Sequence, residues 1–385
     1  MSSQSIPLAV PNIGAKEAEY VARCFRDNWV STVGPFVDRL EAEVAKISGV
    51  PYGVAVAAGT MGLHAALDAL GVGRGDLVII PAYTFIASAN AVSQTGARPW
   101  LFDIAADSWT LDPDALERAL AQDCTQDAEG VLRLKVTGER IAAVMPVYTL
   151  GTPADMDRIV PLARRYGLPV VADAAAAIGA KYKGKPIGAL AEVSVYSFNG
   201  NKTITSGGGG MVVGPGADLL KLIKHTTTTA RVGTDYDHDR IGFNYRMTNI
   251  EAALGCAQAE RLSEFLAAKK RIRQTYNTAF ANHPRVTLFP DVSWADSTYW
   301  FSGLVLREDS EPCMGDIVQA LRDANIIARK FWKPMHLQAP YGEVPKCPMP
   351  VTDSLWRRVL TLPCSTSLSE SDQARVIAAV MRALT

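Results

Sequence analysis

Short, nearly continuous apolar runs alternate with longer amphipathic stretches from about residue 15 to residue 250. Continuous apolar runs are typical of strands covered on both faces, and apolar residues three or four apart are typical of helices. The alternation predicts an α/β fold with a mainly parallel, seven-stranded sheet. The predicted strands span residues 53–57, 77–81, 98–102, 141–147, 169–172, 192–198 and 210–213, and the predicted helices include 60–70, 114–121 and 155–166.

The last third of the chain has a different pattern. A long helical stretch over 249–280 is followed by a strand at 300–306, a helix at 313–324, a strand at 326–331 and a closing helix at 370–384. This order predicts a smaller α+β domain. We therefore expect a large α/β domain over residues 1–250 and a small C-terminal domain over residues 251–385.

Charge and cysteine content narrow the class of protein. Lys plus Arg and Asp plus Glu both number 39, so the formal net charge is zero and a broad surface for nucleic acid or an anionic membrane is not expected. The six cysteines and five histidines are scattered without metal-site spacing, which predicts no metal. No apolar stretch approaches the roughly 18 residues of a membrane span, and the N-terminus lacks a secretory pattern. We expect a cytoplasmic enzyme.

The segment from Ser197 to Gly210 is the first candidate for chemistry. Lys202 follows a predicted buried strand, where an ammonium group is costly to desolvate. Such a setting lowers the pKa of the amine and favours its use as a nucleophile. The glycines at 207–210 let the backbone pass close to a flat ligand. The alternative interpretation is a surface lysine before a flexible hairpin.

Two other strand ends carry groups of interest. Asp173 follows the predicted strand 169–172, at the position where open α/β sheets bind ligands. Its carboxylate could hold the nitrogen of a pyridine cofactor protonated, or it could cap a helix. Gly59 and Thr60 lie between a strand and a helix, where backbone amides and a hydroxyl suit a phosphate. Their spacing is neither that of an ATP-binding loop nor that of a dinucleotide site. His64, in the same helix, is expected to be a core or interface histidine.

Taken in chain order, these residues are an anion site, an acid and a lysine. This set fits pyridoxal phosphate, because the cofactor has a phosphate, a pyridine nitrogen and an aldehyde that a lysine can bind. Tyr83 or Phe85, at a further strand end, could stack on the cofactor ring or pack in the core.

The sequence resembles the sugar aminotransferases of the DegT/DnrJ/EryC1/StrS family, which are fold-type I pyridoxal-phosphate enzymes. The resemblance covers essentially the whole chain. Its landmarks are NWVSTVGP at 28–35, Gly59-Thr60, PAYTFIAS at 81–88, DAA at 173–175, SFNGNK at 197–202, GFNYRMTN at 242–249 and PMHLQ at 334–338.

The resemblance implies a role for each of these positions. Lys202 would form the Schiff base with pyridoxal 5'-phosphate, and Asp173 would pair with the pyridine nitrogen. Phe85 would lie against the ring. In this family the asparagine that corresponds to Asn244 reaches the cofactor phosphate of the neighbouring subunit, so a homodimer with shared active sites is implied. The residues implied to hold the phosphate are Gly59, Thr60, Met61 and Ser197.

Two positions depart from the family pattern. Residue 172 is Ala where the family usually has Glu, and residue 176 is Ala where His, Gln or Glu usually approaches the ring. These changes would affect how polar groups of the protein adjust the reactivity of the cofactor ring, but they would not prevent formation of the Schiff base. A dehydratase branch of the family replaces the lysine with histidine, so Lys202 favours transamination.

Residues 197–210 and 331–338 are most similar to enzymes that aminate UDP-4-keto-6-deoxy-N-acetylglucosamine on the bacillosamine and legionaminic acid routes. The implied reaction is transamination of a UDP-linked 4-keto-6-deoxy-N-acetylhexosamine, with L-glutamate as amino donor. For Arg329 and Lys333, exposed charge on a turn is the alternative. The residues implied on the nucleotide-sugar side are Thr32, Arg329, Trp332, Lys333 and His336.

Three competing interpretations can be compared with this one. The same chemistry could act on a 3-ketosugar, a GDP- or dTDP-linked ketosugar or a keto-cyclitol. A non-catalytic regulatory relative is favoured by Ala172 and Ala176 alone, whereas Lys202, Asp173 and the phosphate loop together favour an enzyme. A nicotinamide dehydrogenase is not supported, because the glycine-rich strand-to-helix fingerprint is missing.

Overall fold

The central feature of the computed structural model, which describes residues 4–307 and 313–385, is a mainly parallel sheet, as predicted. Its main strands are β1 (Tyr52–Val56), β2 (Asp76–Pro81), β3 (Arg98–Phe102), β4 (Arg140–Val144), β5 (Val171–Asp173), β6 (Val193–Ser197) and β7 (Gly210–Gly214). These strands form two ladders, in the orders β1-β7-β6-β5 and β3-β2-β4, which are joined by the bridges Val144–Val170 and Val147–Asp173. Among them only β7 is antiparallel to its neighbours, β1 and β6, and the short antiparallel strands Leu132–Leu134 and Cys124–Gln126 extend the sheet beyond β4.

Burial on both faces explains why the strand sequences are continuously apolar. In β2, Leu77 and Ile79 belong to one apolar cluster, and Val78 and Ile80 belong to another on the opposite face. All four side chains are fully buried. Because successive side chains of a strand point to opposite faces, each face of β2 needs its own apolar residues.

Helices connect and cover these strands. β1, β2, β5 and β6 run in the same direction, so their carboxyl ends lie at the same edge of the sheet. The helices that follow β1 and β2 begin at that edge. The helices of this part are α1 (Ala15–Arg26), α2 (Pro35–Ile47), α3 (Gly59–Ala69), α4 (Ile86–Gln94), α5 (Pro113–Gln122), α6 (Met156–Arg165) and α7 (Ala217–Thr227).

The predicted long helix over 249–280 is wrong at one position. The structure has two helices, α8 (Asn249–Glu260) and α9 (Leu262–Phe280), with a turn at Arg261. The Arg261 guanidinium donates to the backbone oxygen of Asn12 and to Glu17 Oε1 in α1. These contacts hold the turn against a distant part of the chain, so the local periodicity does not reveal it.

A second sheet, antiparallel throughout, forms near the C-terminus. The elements of this part are β8 (Val286–Leu288), β9 (Ser302–Leu306), α10 (Met314–Asp323), β10 (Arg329–Lys330), α11 (Pro350–Leu355), β11 (Val359–Leu362) and α12 (Glu370–Ala383). The order of the sheet is β8-β9-β11-β10, α9 and α10 pack against it, and α12 packs against these two helices. The predicted strand over 326–331 is shorter, because Ile326 instead pairs with Ile6 in the N-terminal segment. The division of the chain at residue 250 stays a prediction.

Short elements complete the described chain. They are the strands Cys124–Gln126, Leu132–Leu134, Lys181–Tyr182, Lys185–Pro186, Arg231–Val232, Asp237–His238 and Ala295–Asp296, and the 3-10 turns Thr149–Gly151, Met335–Leu337 and Ala339–Tyr341.

The cysteines, the helix lengths and the possible metal ligands can be compared with what the composition led us to expect. All six cysteines are free thiols. Within residues 4–307 and 313–385, no helix has the length and apolarity that crossing a bilayer demands. In that same part of the chain, no group of three or more His, Cys, Asp or Glu side chains is placed to hold a metal ion. The cytoplasmic location stays a prediction.

Candidate active site

A cavity of about 490 Å³ opens at the edge of the sheet where β1, β2, β5 and β6 end. Segments that follow these strands form one wall, and segments of the C-terminal sheet form the other. Its volume lies in the range of small-molecule sites. Among its lining residues are Ala58, Gly59, Thr60, Thr84, Phe85, Ser88, Asp173, Ala176, Ser197, Lys202, Trp300, Phe301, Arg329, Lys330, Phe331 and Trp332.

The fold brings eight of the residues predicted from the sequence to this cavity, namely Gly59, Thr60, Phe85, Asp173, Ser197, Lys202, Arg329 and Trp332. Five others, Thr32, Met61, Asn244, Lys333 and His336, lie outside its lining. Asn244 and Lys333 are exposed, and His336 Nε2 hydrogen-bonds Asp353 Oδ1 at 2.9 Å. The roles of these five stay predictions.

Asp173 is the last residue of β5 and is 4% exposed. Ser88 Oγ donates to Asp173 Oδ2 at 2.6 Å, and the backbone N–H of Ala175 donates to Oδ1 at 3.1 Å. Burial raises the pKa of this carboxyl above its ordinary value, while these two hydrogen bonds and the charge of Lys202 oppose the rise. The side chain is therefore an acid held at the cavity wall and not a simple helix cap.

Lys202 follows β6, the strand next to β5 in the sheet. Its Nζ lies 3.5 Å from the centroid of the Trp300 ring. Burial lowers the pKa of the amine to about 8, although the charge of Asp173 acts in the opposite direction. A larger fraction of the amine is thus neutral near neutral pH than in an exposed lysine, which suits a nucleophile or a base.

The start of α3 forms the third part of the site. α3 begins at Gly59, and the first N–H groups of a helix have no acceptor within the helix. The close passage of β7 beside this turn requires Gly210, because a Cβ there would lie 2.7 Å from the Gly59 nitrogen. Backbone donors at a helix start, with the Thr60 and Ser197 hydroxyls at the same cavity, suit an anion.

The structure decides between the alternatives for the aromatic residues and His64. Tyr83 is fully buried against Trp109, Phe331 and Trp332, so it packs in the core. Phe85 is 56% exposed and lines the cavity. His64 is buried against the rings of Phe243 and Tyr245, as expected for a core histidine.

The two alanines that depart from the family pattern lie in different surroundings. Ala172 is fully buried in the core of the sheet and is not part of the cavity lining. Ala176 lines the cavity, and its backbone oxygen accepts a hydrogen bond from Thr298 Oγ1 at 2.6 Å. Only the change at position 176 therefore alters the cavity wall, where it places a methyl group.

Three contributors to the site were not assigned from the sequence: Thr84, Ser88 and Trp300. Ser88 lies in the first turn of α4, seven positions after β2 ends at Pro81, and its place at a helix start near a strand end is the signal that the sequence offers. Trp300 comes from a segment 98 residues beyond Lys202 in the chain, and no local pattern indicates their contact.

The arrangement fits pyridoxal phosphate by the chemistry of its groups. Asp173 would face the pyridine nitrogen, Lys202 the aldehyde carbon, and the start of α3 the phosphate. The exposed ring of Phe85 offers a flat apolar surface at the same cavity. When bound there, the cofactor would supply an electron sink.

Comparisons with known proteins agree with this interpretation. Residues 11–381 match the model of the DegT/DnrJ/EryC1/StrS aminotransferase family. The chain is 36% identical over 379 residues to a Bacillus subtilis protein named as the pyridoxal phosphate-dependent aminotransferase EpsN, covering 97% of this chain and 94% of that protein. It is 36% identical over 389 residues to the GDP-perosamine synthase of Caulobacter vibrioides, covering 98% of each. Among solved structures, DesV of S. venezuelae superposes with a TM-score of 0.87 at 29% identity over 100% of both chains.

Proposed function

The chain belongs to the DegT/DnrJ/EryC1/StrS aminotransferase family and is a pyridoxal-phosphate-dependent enzyme, and we propose that it aminates a nucleotide-linked 4-keto-6-deoxy sugar with L-glutamate as donor. The observation that carries the proposal is the meeting of Asp173, Lys202 and the start of α3 at one cavity. An acid, an amine and an anion site at neighbouring strand ends are the groups that transamination needs.

In this proposal Asp173 and Lys202 divide the proton chemistry. Bound pyridoxal phosphate supplies a ring that takes up the electrons left when a proton is removed from carbon. The Asp173 carboxylate keeps a proton on the pyridine nitrogen. The neutral Nζ of Lys202 would remove the Cα proton of glutamate and pass it to the bound cofactor. In the second half-reaction the same group would take a proton back from the cofactor and deliver it to the sugar carbon that receives the amine. A pKa of about 8 suits a group that must both accept and release a proton near neutral pH.

The outer part of the cavity supports a sugar nucleotide as the amino acceptor. Arg329 and Lys330 are exposed at its wall and could pair with a diphosphate. The stacked rings of Phe331 and Trp332, 4.2 Å apart, offer an apolar surface to a sugar ring. The name of the Caulobacter relative favours GDP as the nucleotide. We therefore propose a GDP-linked ketosugar ahead of the UDP-linked sugar that the resemblance of residues 197–210 and 331–338 implies.

We also propose a homodimer with shared active sites. Asn244 is exposed and lies outside the cavity of its own chain, which is compatible with a role in a second copy. Phe25, Trp29 and Val33 expose apolar side chains in the N-terminal part, and an apolar surface of this kind is commonly covered by a partner.

The proposal is tested by the visible absorption of the protein loaded with pyridoxal phosphate, recorded before and after L-glutamate is added. We expect the band of the bound cofactor to be lost on addition of glutamate and restored by an accepted ketosugar. GDP-, UDP- and dTDP-linked 4-keto-6-deoxy sugars would be compared by product mass. Lys202→Ala should abolish the response, while Lys185→Ala, at an exposed lysine, should leave it intact. A protein that binds the cofactor but does not respond to glutamate would contradict the proposal.

A further inference from the structure

We propose that Ser88 is a positioning residue for this reaction, which fixes the Asp173 carboxylate by a hydrogen bond, and that Thr84 orients Ser88 in turn. The inference rests on the proposed function, because it concerns the acid that would hold the pyridine nitrogen. It adds two residues for which neither the sequence patterns nor the resemblance gave a role.

The direction of the hydrogen bonds follows from counting protons. Ser88 Oγ lies 2.6 Å from Asp173 Oδ2, and Thr84 Oγ1 lies 2.8 Å from Ser88 Oγ. An ionised carboxylate can only accept, so the single hydroxyl proton of Ser88 is donated to Asp173. The 2.8 Å contact then uses the hydroxyl proton of Thr84, whose other acceptor, the Phe85 backbone oxygen, lies farther away at 3.4 Å. Two hydroxyls thus form a chain that ends on one carboxylate oxygen.

The surroundings make these two hydrogen bonds strong and well defined. Thr84 and Ser88 are each 1% exposed, so water does not compete for their hydrogen bonds. A hydrogen bond to a charged group is stronger than one between neutral groups. The two hydrogen bonds polarise each other in the same direction, because each hydroxyl donates to the next acceptor. All three side chains line the cavity, so these hydrogen bonds hold a carboxylate at the candidate active site.

The position of Ser88 in α4 fixes its hydroxyl relative to the sheet. Ser88 lies in the first turn of α4, and its backbone N–H donates to the Phe85 oxygen at 3.2 Å. The positive end of this helix therefore also lies on the side of the Asp173 carboxylate. With Ala175 N–H bonded to Oδ1, both oxygens are held by the protein, and each keeps a second lone pair.

Removal of the Ser88 hydroxyl should destabilise the ionised form of Asp173 relative to the protonated form. Burial raises the pKa of this carboxyl, and the Ser88 hydrogen bond opposes that rise. The charged group that faces Asp173 is Lys202, whose effect on Asp173 has the same sign as that of Ser88. Ala176 adds only a methyl group to the wall, so it offers no polar replacement.

The test uses the full protein loaded with pyridoxal phosphate that carries 15N in the pyridine ring. The 15N chemical shift reports directly whether the nitrogen is protonated. In Ser88→Ala we expect the shift to move toward the unprotonated value and the glutamate half-reaction to slow by roughly ten- to a hundredfold. We expect the KM for glutamate to stay near that of the unchanged protein. Ser88→Thr keeps the hydroxyl and should retain both values.

Thr84→Val and Ser93→Ala complete the design. Thr84→Val keeps the shape of the side chain and should give a smaller change of the same sign, whereas Ser93 is exposed at the far end of α4 and its variant should give none. An unchanged 15N shift and rate in Ser88→Ala would overturn the role of Ser88. If that variant does not fold, an unchanged Thr84→Val would overturn the chain of hydrogen bonds. Failure of the unchanged protein to react with glutamate would instead refute the proposed function, and the 15N shifts would still report on Ser88.

Discussion

At the scale of single residues, the surroundings of Lys202 determine what its amine can do. The Trp300 ring covers the amine at 3.5 Å, and burial lowers its pKa to about 8. An exposed lysine has a pKa of about 10.4, so at neutral pH its amine is almost entirely charged and unreactive. The cavity therefore creates the nucleophile from an ordinary side chain.

This pKa predicts the pH dependence of cofactor capture by the cofactor-free protein. The neutral amine is the reactive form, so the initial rate at which Lys202 captures pyridoxal phosphate should rise with pH around a midpoint near 8. Borohydride reduction at a series of pH values, followed by peptide mass spectrometry, would measure the capture at Lys202, and the Lys202→Ala variant is the control for capture elsewhere in the chain. A midpoint near the ordinary lysine value of about 10.4 would contradict the prediction.

The residues of the site differ in how far the sequence predicted them. Asp173 and Lys202 follow recognisable strands, and polar residues at the carboxyl ends of parallel strands meet at one edge. Ser88 lies seven positions past the end of β2, in the first turn of α4, where a hydroxyl is commonly part of the helix start and carries no distinct signal. The contact of Trp300 with Lys202 depends on the packing of the C-terminal sheet against the large one, which no local spacing encodes.

At the scale of elements, α9 holds the aromatic wall of the cavity in place. Lys269, only 2% exposed, donates from Nζ to the backbone oxygens of Trp300 at 2.8 Å and Cys364 at 2.7 Å. The indole N–H of Trp300 donates to the Asn201 oxygen at 2.8 Å, next to Lys202. A buried ammonium group is costly unless it is well bonded, and here both acceptors belong to segments at or near the site.

Replacing this ammonium group should destabilise the fold. Lys269→Met keeps much of the volume but leaves two buried carbonyl oxygens without their donor, and each costs about 1–3 kcal/mol. The ammonium group itself no longer has to be desolvated, so we expect a net loss of about 2–4 kcal/mol in the free energy of unfolding. Lys270→Met, at the exposed neighbouring position, should change it by less than about 0.5 kcal/mol. Denaturant unfolding of both variants measures the difference, and equal stabilities would contradict the role of Lys269.

The break between α8 and α9 shows where the periodicity of apolar residues is insufficient to predict the end of a helix. The apolar pattern over 249–280 is continuous enough to predict one helix, whereas the chain turns at Arg261. The guanidinium binds Glu17 and Asn12, which are more than 240 positions away in the chain. A break that depends on a partner so distant in sequence is a tertiary effect, and it overrides the local preference.

At the scale of the whole molecule, the sheet is the part that the sequence predicts best. Parallel strands buried on both faces must be apolar throughout, so their number and order of appearance are evident from the sequence. Pairings between chain ends are not evident, such as that of Ile6 with Ile326, which shortens the predicted strand over 326–331. Pairing across that separation depends on the completed fold and has no local pattern.

The proposed homodimer with shared sites predicts that two inactive variants should complement each other. Within one chain, Asn244 lies outside the cavity, although its neighbour Tyr245 accepts a hydrogen bond from the Ala57 N–H at 2.8 Å, beside the start of α3. The segment is thus fixed near one anion site while Asn244 is exposed. If Asn244 serves the other subunit, then Asn244→Ala should weaken cofactor binding there, and Lys202→Ala should abolish the chemistry in its own subunit.

A mixture of these two variants distinguishes shared sites from separate ones. In a heterodimer of shared sites, the cavity with an intact Lys202 faces the subunit with an intact Asn244, so one of its two sites is complete. Random exchange of subunits makes half of the dimers mixed, and we expect the mixture to recover about a quarter of the activity of the unchanged protein. Activity would be measured at limiting pyridoxal phosphate after subunits are exchanged in mild denaturant, with each variant exchanged alone as the control. If Asn244 acted within its own chain, the Lys202→Ala subunit would contribute nothing, and the mixture would have only the average activity of the two variants.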